Sequence, residues 1–181
     1  LENYKLIINS QHGFTKGRSC LTNLLEFFEE VTQLLDSGQP VDVIYLDFAK
    51  AFDKVPHKRL IGKIQGHGIT DKVLAWIAAW LSNRKQRVVL NGKFSKFSDV
   101  LSGVPQGSVL GPLLFLIYIN DLDIGILSEI CKFADDTKLG GAVGNENEAN
   151  SIREDLKNLY SWAEEWQMAF IWCPNTEDML E

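Results

Sequence analysis

The sequence predicts an α+β domain, an antiparallel sheet packed on helices, and three observations carry that prediction. Short β-branched and aromatic runs mix with longer amphipathic stretches, without the regular strand–helix–strand alternation of a parallel sheet. Two tight turn signals, Asn91-Gly92 and Asp135-Asp136, each lie between apolar runs and imply antiparallel hairpins. Two stretches, residues 19–35 and 147–168, repeat apolar side chains at three- and four-residue spacing, the spacing of a helix with one apolar face.

Taken in order, the first helix spans residues 19–35. Its stripe of Leu21, Leu24, Leu25, Phe28, Val31, Leu34 and Leu35 is expected to be buried, and Ser37-Gly38-Gln39-Pro40 stops it. Residues 41–47 form a β-branched and aromatic run, expected as a strand buried on both faces. Pro56 leads into a short helix ending near Gly66, and Asp71 suits the N-cap of a second helix through Leu81. Residues 88–90 and 94–100 flank Asn91-Gly92 as a hairpin. A loop over 102–107 precedes an apolar helix over about 108–122. Residues 129–134 and 137–143 are strands on either side of Asp135-Asp136. The long helix over 147–168 turns Leu156, Leu159, Trp162, Ala163 and Trp166 inward.

At 181 residues and 45% apolar composition, the chain fits one domain with a core of its own. Its longest apolar run, 113–119, is far short of the roughly 20 residues that span a bilayer, so no membrane partner is expected. Cys20, Cys131 and Cys173 are scattered, which argues against a disulfide framework and a zinc site and fits an intracellular setting. The chain opens without a signal-peptide pattern and without Met, as a fragment would. Charge is unevenly placed: −4 over residues 1–49, +9 over 50–96 and −11 over 97–181, within a net −6. A basic block inside an acidic chain suits either a nucleic-acid footprint or a solvated helix face.

Chemistry concentrates on carboxylates. Asp135 and Asp136 are adjacent at a hairpin tip, where the turn breaks the side-chain alternation of a strand and lets both serve one site. Two like charges about 4 Å apart repel by a few kcal/mol at an effective dielectric near 20. A hard divalent cation such as Mg²⁺ would offset that repulsion, although an Asp-Asp pair alone also suits a polar turn. Asp47 ends an apolar strand, a place for a site carboxylate or for a cap. One acid at a strand end and two on a neighbouring hairpin can converge on a two-metal site for phosphoryl transfer.

The run Val41-Asp42-Val43-Ile44-Tyr45-Leu46-Asp47-Phe48-Ala49-Lys50-Ala51-Phe52-Asp53-Lys54-Val55 resembles motif A of reverse transcriptases from non-LTR (LINE-type) retrotransposons. Ser102-Gly103-Val104-Pro105-Gln106-Gly107-Ser108-Val109-Leu110-Gly111-Pro112 resembles their motif B, and Phe133-Ala134-Asp135-Asp136-Thr137-Lys138 their motif C. Gln11-His12-Gly13-Phe14 through Arg18-Ser19 is similar to the segment before motif A. The likeness runs in order from about residue 11 to 168 and is nearest to jockey-like and CR1-like elements. It implies a right-hand polymerase palm with part of the fingers and no thumb. The implied activity is an RNA-directed DNA polymerase using two Mg²⁺ ions (Mn²⁺ substituting), an RNA template, a DNA primer and deoxynucleoside triphosphates.

Residue by residue, the resemblance makes Asp47, Asp135 and Asp136 catalytic and metal-binding, with the Phe48 carbonyl as a further ligand. Phe52 stands where the family places an aromatic plate under the sugar, and plain core is its other reading. Gln106 and Gly107 would contact the nucleotide. Asp53 is expected to tie the strand-to-helix turn, and His12, His57 and His67 read as ordinary surface or core histidines. Arg84, Lys85, Arg87, Lys93 and Lys96 are candidate phosphate contacts or a solvated basic hairpin. A nuclear location follows from the resemblance alone.

The domain is expected over 1–170, with a divergent tail over 171–181. There Ile171 and Pro174 stand where the family has Asn and a Lys thought to protonate the leaving pyrophosphate. The fingers strands would precede residue 1 and the thumb follow residue 168. A truncated or host-adopted remnant that binds without catalysing is the alternative, and an unrelated two-metal nuclease a further one.

Overall fold

The β-branched and aromatic run after Pro40 forms strand β1 (Val41–Leu46). In the computed structural model, which describes residues 6–171, β1 pairs antiparallel with β7 (Asp136–Ala142), which pairs antiparallel with β6 (Glu129–Phe133). The sheet order is therefore β1-β7-β6. This sheet belongs to the first of two compact units, residues 6–49 with 119–171; the second is Lys50–Tyr118.

Helices α1 (Cys20–Asp36) and α6 (Glu146–Glu165) cover opposite faces of the sheet. Neighbouring residues on a strand point to opposite sides, and two glycines of β7 show what each side meets. A Cβ on Gly140 would lie 3.2 Å from the Phe27 ring of α1, and one on Gly141 would lie 3.1 Å from Ile152 of α6. Helix α1 starts in a capping box: the Ser19 hydroxyl accepts from the Thr22 N–H, and Thr22 Oγ1 accepts from the Ser19 N–H. Asn145 caps α6 by accepting from the Glu148 N–H. The helix ends at Glu165, short of the expected 168, where Gln167 turns left-handed (φ 57°).

Two expectations about facing are corrected. The apolar stripe of α1 lies outward, with Leu21, Leu24, Leu25, Phe28 and Leu35 exposed, and the helix docks through Asn23 and Phe27. The sheet below is polar at that point: Asn23 accepts from Lys138 Nζ (2.6 Å) and donates to the Lys132 carbonyl (3.1 Å). Phe27 fills the space above Gly140. Strand β1 is buried on alternate residues rather than throughout, with Ile44 and Leu46 inside and Asp42 and Tyr45 exposed. It is an edge strand, and α1 covers only part of the face that Tyr45 shares with its partner Lys138.

The second unit holds α2 (Ala51–Lys54), α3 (His57–Gly66), α4 (Asp71–Leu81) and α5 (Leu110–Tyr118), with α3 packed against α4 and α5. Leu60, Ile64, Ile77, Leu81, Leu114 and Phe115 are buried. Thr70, rather than Asp71, is the N-cap of α4, and its hydroxyl donates to Asp71 Oδ2. Two short ribbons pair β2 (Lys85–Gln86) with β5 (Ser98–Asp99) and β3 (Val89–Leu90) with β4 (Lys93–Phe94). Asn91 (φ 49°) and Gly92 (φ 74°) are both left-handed, as the expected two-residue turn demands. Helix α5 is shorter than the expected 108–122 at both ends, and the Ser108 hydroxyl accepts from the Gly111 N–H at its start.

No helix among the described residues is long and apolar enough to cross a membrane. Most of the divergent tail, with Cys173 and Pro174, lies outside the described residues, as do residues 1–5.

Candidate functional site

The β6–β7 register sets Phe133 opposite Asp136, which leaves Ala134 and Asp135 as a two-residue loop. One step beyond the Leu46–Thr137 pair, Asp47 and Asp136 leave the same end of adjacent strands. The three carboxylates thus belong to one end of one sheet. Burial pushes the Asp135 carboxyl above its ordinary value, and the charges of Asp136 and Asp47 push it further. They share an electrostatic environment that a positive charge would relieve. Three carboxylates with mutual repulsion suit a hard divalent cation. Among the described residues, however, no three His, Cys, Asp or Glu side chains form a group able to hold a metal ion. The donor chemistry fits; a ready-made ligand cluster is not part of this conformation.

Phe48 follows Asp47 into a bridge with Phe170. The bridge bonds run through its neighbours, from the Ala49 N–H to the Ala169 carbonyl and from the Ile171 N–H to the Asp47 carbonyl (2.7 Å each). The peptide groups of Phe48 therefore face away from that partner. Its ring is buried, stacked on Phe170 at 4.3 Å. Beside Asp47 and Asp136 lies a cavity of about 580 Å³, lined in part by Tyr45, Leu46, Phe133 and Lys138.

The hairpin carrying Asp135 and Asp136 is braced on its outer edge, a feature the sequence did not reveal. Residues 10–12 add to β6 as a short parallel strand: the His12 N–H donates to the Lys132 carbonyl and the Lys132 N–H to the Ser10 carbonyl (2.8 Å each). Lys132 is buried and pairs with buried Asp123 at 2.7 Å, and the Ser10 hydroxyl also donates to Asp123. Burial lowers the Lys132 ammonium below its usual range, and Asp123 opposes that shift. The alternation of β6 makes Lys132 look solvent-facing, and its partner is nine residues earlier in a loop. No local pattern marks the pair.

In the second unit, the loop over 102–107 is strapped to the turn after β1. The Gly103 N–H donates to the Val55 carbonyl (2.8 Å), the Val104 N–H to the Phe52 carbonyl (2.7 Å) and the Ser102 hydroxyl to the Asp53 carbonyl (2.8 Å). Gly103 is left-handed (φ 86°), and a Cβ there would lie 2.7 Å from Asp53 backbone atoms, so only glycine permits this approach. The Asp53 carboxylate accepts from Gln106 Nε2 (3.1 Å). The expectation that Asp53 ties the turn thus acquires a particular partner, the Gln106 carboxamide. Gly107 is also left-handed, with open space where a Cβ would stand. The Phe52 ring stacks on Phe115 at 4.5 Å.

The basic hairpin residues divide into two kinds. Arg84 is engaged within the unit, donating to the Gly103 carbonyl (2.7 Å) and the Leu81 carbonyl (3.0 Å), and His57 shares the Gly103 carbonyl. Lys85, Arg87, Lys93 and Lys96 are exposed. Lys85 lies 3.7 Å from Asp99, and the Arg87 guanidinium sits over the Phe94 and Phe97 rings at 4.1 and 4.8 Å.

Comparison with known proteins matches residues 1–171 to the family described as "Reverse transcriptase (RNA-dependent DNA polymerase)". The chain is 30% identical over 164 residues to the probable RNA-directed DNA polymerase from transposon X-element of Drosophila melanogaster, covering 87% of this chain and 18% of that protein. It is 30% identical over 173 residues to the RNA-directed DNA polymerase from mobile element jockey of the same organism, covering 91% and 19%. The chain thus spans about a fifth of the length of these relatives. Among solved structures, it resembles a truncated apo telomerase from Candida tropicalis with a TM-score of 0.58 at 13% identity, over 90% of this chain and 36% of that one, a likeness of fold.

Proposed function

The chain belongs to the reverse transcriptase family, of the non-LTR retrotransposon kind, and from that premise we propose that it is the palm, with part of the fingers, of an RNA-directed DNA polymerase. The observation that carries the reading is the register that brings Asp47, Asp135 and Asp136 to one end of the β1-β7-β6 sheet. The reaction joins the primer 3′-oxygen to the α-phosphorus of a deoxynucleoside triphosphate. The bond from that phosphorus to the β-phosphate bridging oxygen breaks, pyrophosphate leaves, and the hydroxyl proton passes to solvent.

Two Mg²⁺ ions, when bound, supply charge neutralisation at the attacking and leaving oxygens. Asp47, Asp135 and Asp136 would hold them, with the Phe48 carbonyl as an additional oxygen. The protein's own part is positioning and electrostatics rather than proton transfer. In the second unit, Phe52 would set a flat ring under the deoxyribose, its position fixed by Phe115. Gln106, oriented by Asp53, and the backbone of Gly107 would contact the nucleotide. Lys85, Arg87 and Lys93 would meet template or primer phosphates, while Arg84 shapes the loop beside them. A nuclear site of action is proposed on family likeness alone.

A second reading, a nucleic-acid-binding module without polymerase activity, rests on Ile171 and Pro174 at the positions of the family's Asn and Lys. Primer extension decides between them. A DNA primer on an RNA template is incubated with deoxynucleotides in Mg²⁺ and then Mn²⁺, with Asp135→Asn alongside. Incorporation that the substitution abolishes is the expected result. Folded protein that binds the hybrid and incorporates nothing with either ion selects the second reading.

A further inference from the structure

We propose that Gln11 is a positioning residue that holds the backbone of the Ala134–Asp135 turn, and so aims Asp135; the role rests on the polymerase reading above. Ala134 stands at the tip of the β6–β7 hairpin. Its φ of 55° is left-handed, and alanine has no polar side chain with which to stabilise that conformation locally. Such a conformation persists where surrounding structure determines it. Ala134 is also the residue immediately before Asp135, so its φ and ψ decide where that carboxylate points.

The surrounding structure is one side chain. Gln11 is 2% exposed. Its Oε1 accepts from the Ala134 N–H (2.8 Å) and from the Gly13 N–H (2.7 Å), and its Nε2 donates to the Ala134 carbonyl (3.2 Å). One carboxamide therefore engages both peptide groups of the left-handed residue, as a neighbouring strand would. Asn is a methylene too short for this reach, Glu lacks the donor, and an apolar side chain leaves three buried peptide groups without these partners.

The clamp is itself fixed. Residues 10–12 are hydrogen-bonded to Lys132 on β6, and a Cβ on Gly13 would run into the Ala134 nitrogen and lie 3.0 Å from the Ala134 Cα. The Gln11-His12-Gly13 run thus presses on the turn from outside the sheet. The hydrogen bonds of the Gln11 carboxamide go to backbone groups of Gly13 and Ala134, so it acts through the backbone that carries Asp135.

The test compares the wild-type chain with Gln11→Met, which keeps the length and removes every bond, and Gln11→Glu, which keeps the acceptor and removes the donor. Amide hydrogen exchange is read at Ala134 and Leu139, and Mn²⁺ binding by electron paramagnetic resonance without nucleotide. Primer extension supplies kcat and the KM for deoxynucleotide. In Gln11→Met, Ala134 exchange should quicken at least about tenfold with Leu139 within about twofold, and Mn²⁺ affinity and kcat should each fall about 10–100-fold with KM unchanged. Gln11→Glu should fall between. Unchanged Ala134 exchange and Mn²⁺ affinity in a folded Gln11→Met protein overturn the proposal. If Gln11→Met does not fold, the same readings on Gln11→Glu decide it. A wild-type chain that extends no primer removes the polymerase reading, while exchange and Mn²⁺ binding still judge the clamp.

Discussion

The His12 imidazole is 1% exposed and sits between a hydroxyl and a guanidinium. Thr22 Oγ1 gives its proton to the Ser19 carbonyl, so at 2.9 Å it accepts from Nδ1–H. Nε2 is then the acceptor for Arg18 Nη1 at 2.8 Å. The neutral tautomer satisfies both partners. A proton on Nε2 would face Arg18, with Glu26 at 3.1 Å as partial relief and Lys138 adding further repulsion. Burial, then Arg18, accordingly lowers the His12 pKa from 6.5. A histidine depressed in the folded state binds fewer protons there than in the unfolded chain. Its contribution is complete above pH 6.5 and declines as pH falls below that value. Melting temperature should therefore drop between pH 7 and pH 5, and His12→Gln should flatten that part of the profile; equal slopes in both proteins would refute the assignment. None of this was legible in the sequence, where His12 is a lone histidine, because its partners Thr22 and Glu26 lie on a helix that begins eight residues later and Arg18 in the turn before it. That Asp47, Asp135 and Asp136 could converge was legible because an apolar strand runs up to Asp47 and a hairpin turn carries the other two. Gln11 was not, because its partner Ala134 is 123 residues away.

At the scale of elements, existence was easier to read than orientation. The capping pair Ser19 and Thr22, the Asn91-Gly92 turn and the β-branched run of β1 act within a few residues, and each formed where local chemistry required it. Which face of α1 docks depends on what the sheet offers, and that is tertiary. Counting leucines favours the stripe through Leu21, Leu25 and Phe28, yet Asn23 and Phe27 meet Lys138 and Gly140. The difference is measurable by urea denaturation. Phe27→Ala removes a ring that is 1% exposed and should cost about 3–5 kcal/mol. Leu21→Gln and Leu25→Gln, at 61% and 60% exposure, should change stability by about 0.5 kcal/mol or less. The reverse order would restore the stripe to the core.

At the scale of the whole molecule, charge divides along the same line as the fold. Lys50–Tyr118 carries 11 Lys/Arg against 3 Asp/Glu, a net +8, and the remainder carries 7 against 21, a net −14. The sequence showed the basic block but not that it coincides with a structural unit, since the boundary at Tyr118 falls at the end of an apolar helix with no linker composition to mark it. An acidic unit gains nothing from phosphate attraction, so on the polymerase reading proposed above the sequence-independent affinity for a template–primer hybrid would come from the basic unit. Within it, Arg84 is engaged by Gly103 and Leu81 and Lys85 faces Asp99, whereas Lys93 and Lys96 are exposed on the ribbon beyond Asn91-Gly92. Counterion release makes the consequence quantitative. Fluorescence anisotropy of a labelled RNA/DNA hybrid, titrated at several salt concentrations, gives the slope of log affinity against log salt. Replacing Lys93 and Lys96 with alanine should weaken binding alike for unrelated sequences and lower the slope by about one per lysine. A slope that does not move would mean the ribbon faces water in the complex, and the attraction would then have to come from the helical lysines of the same unit.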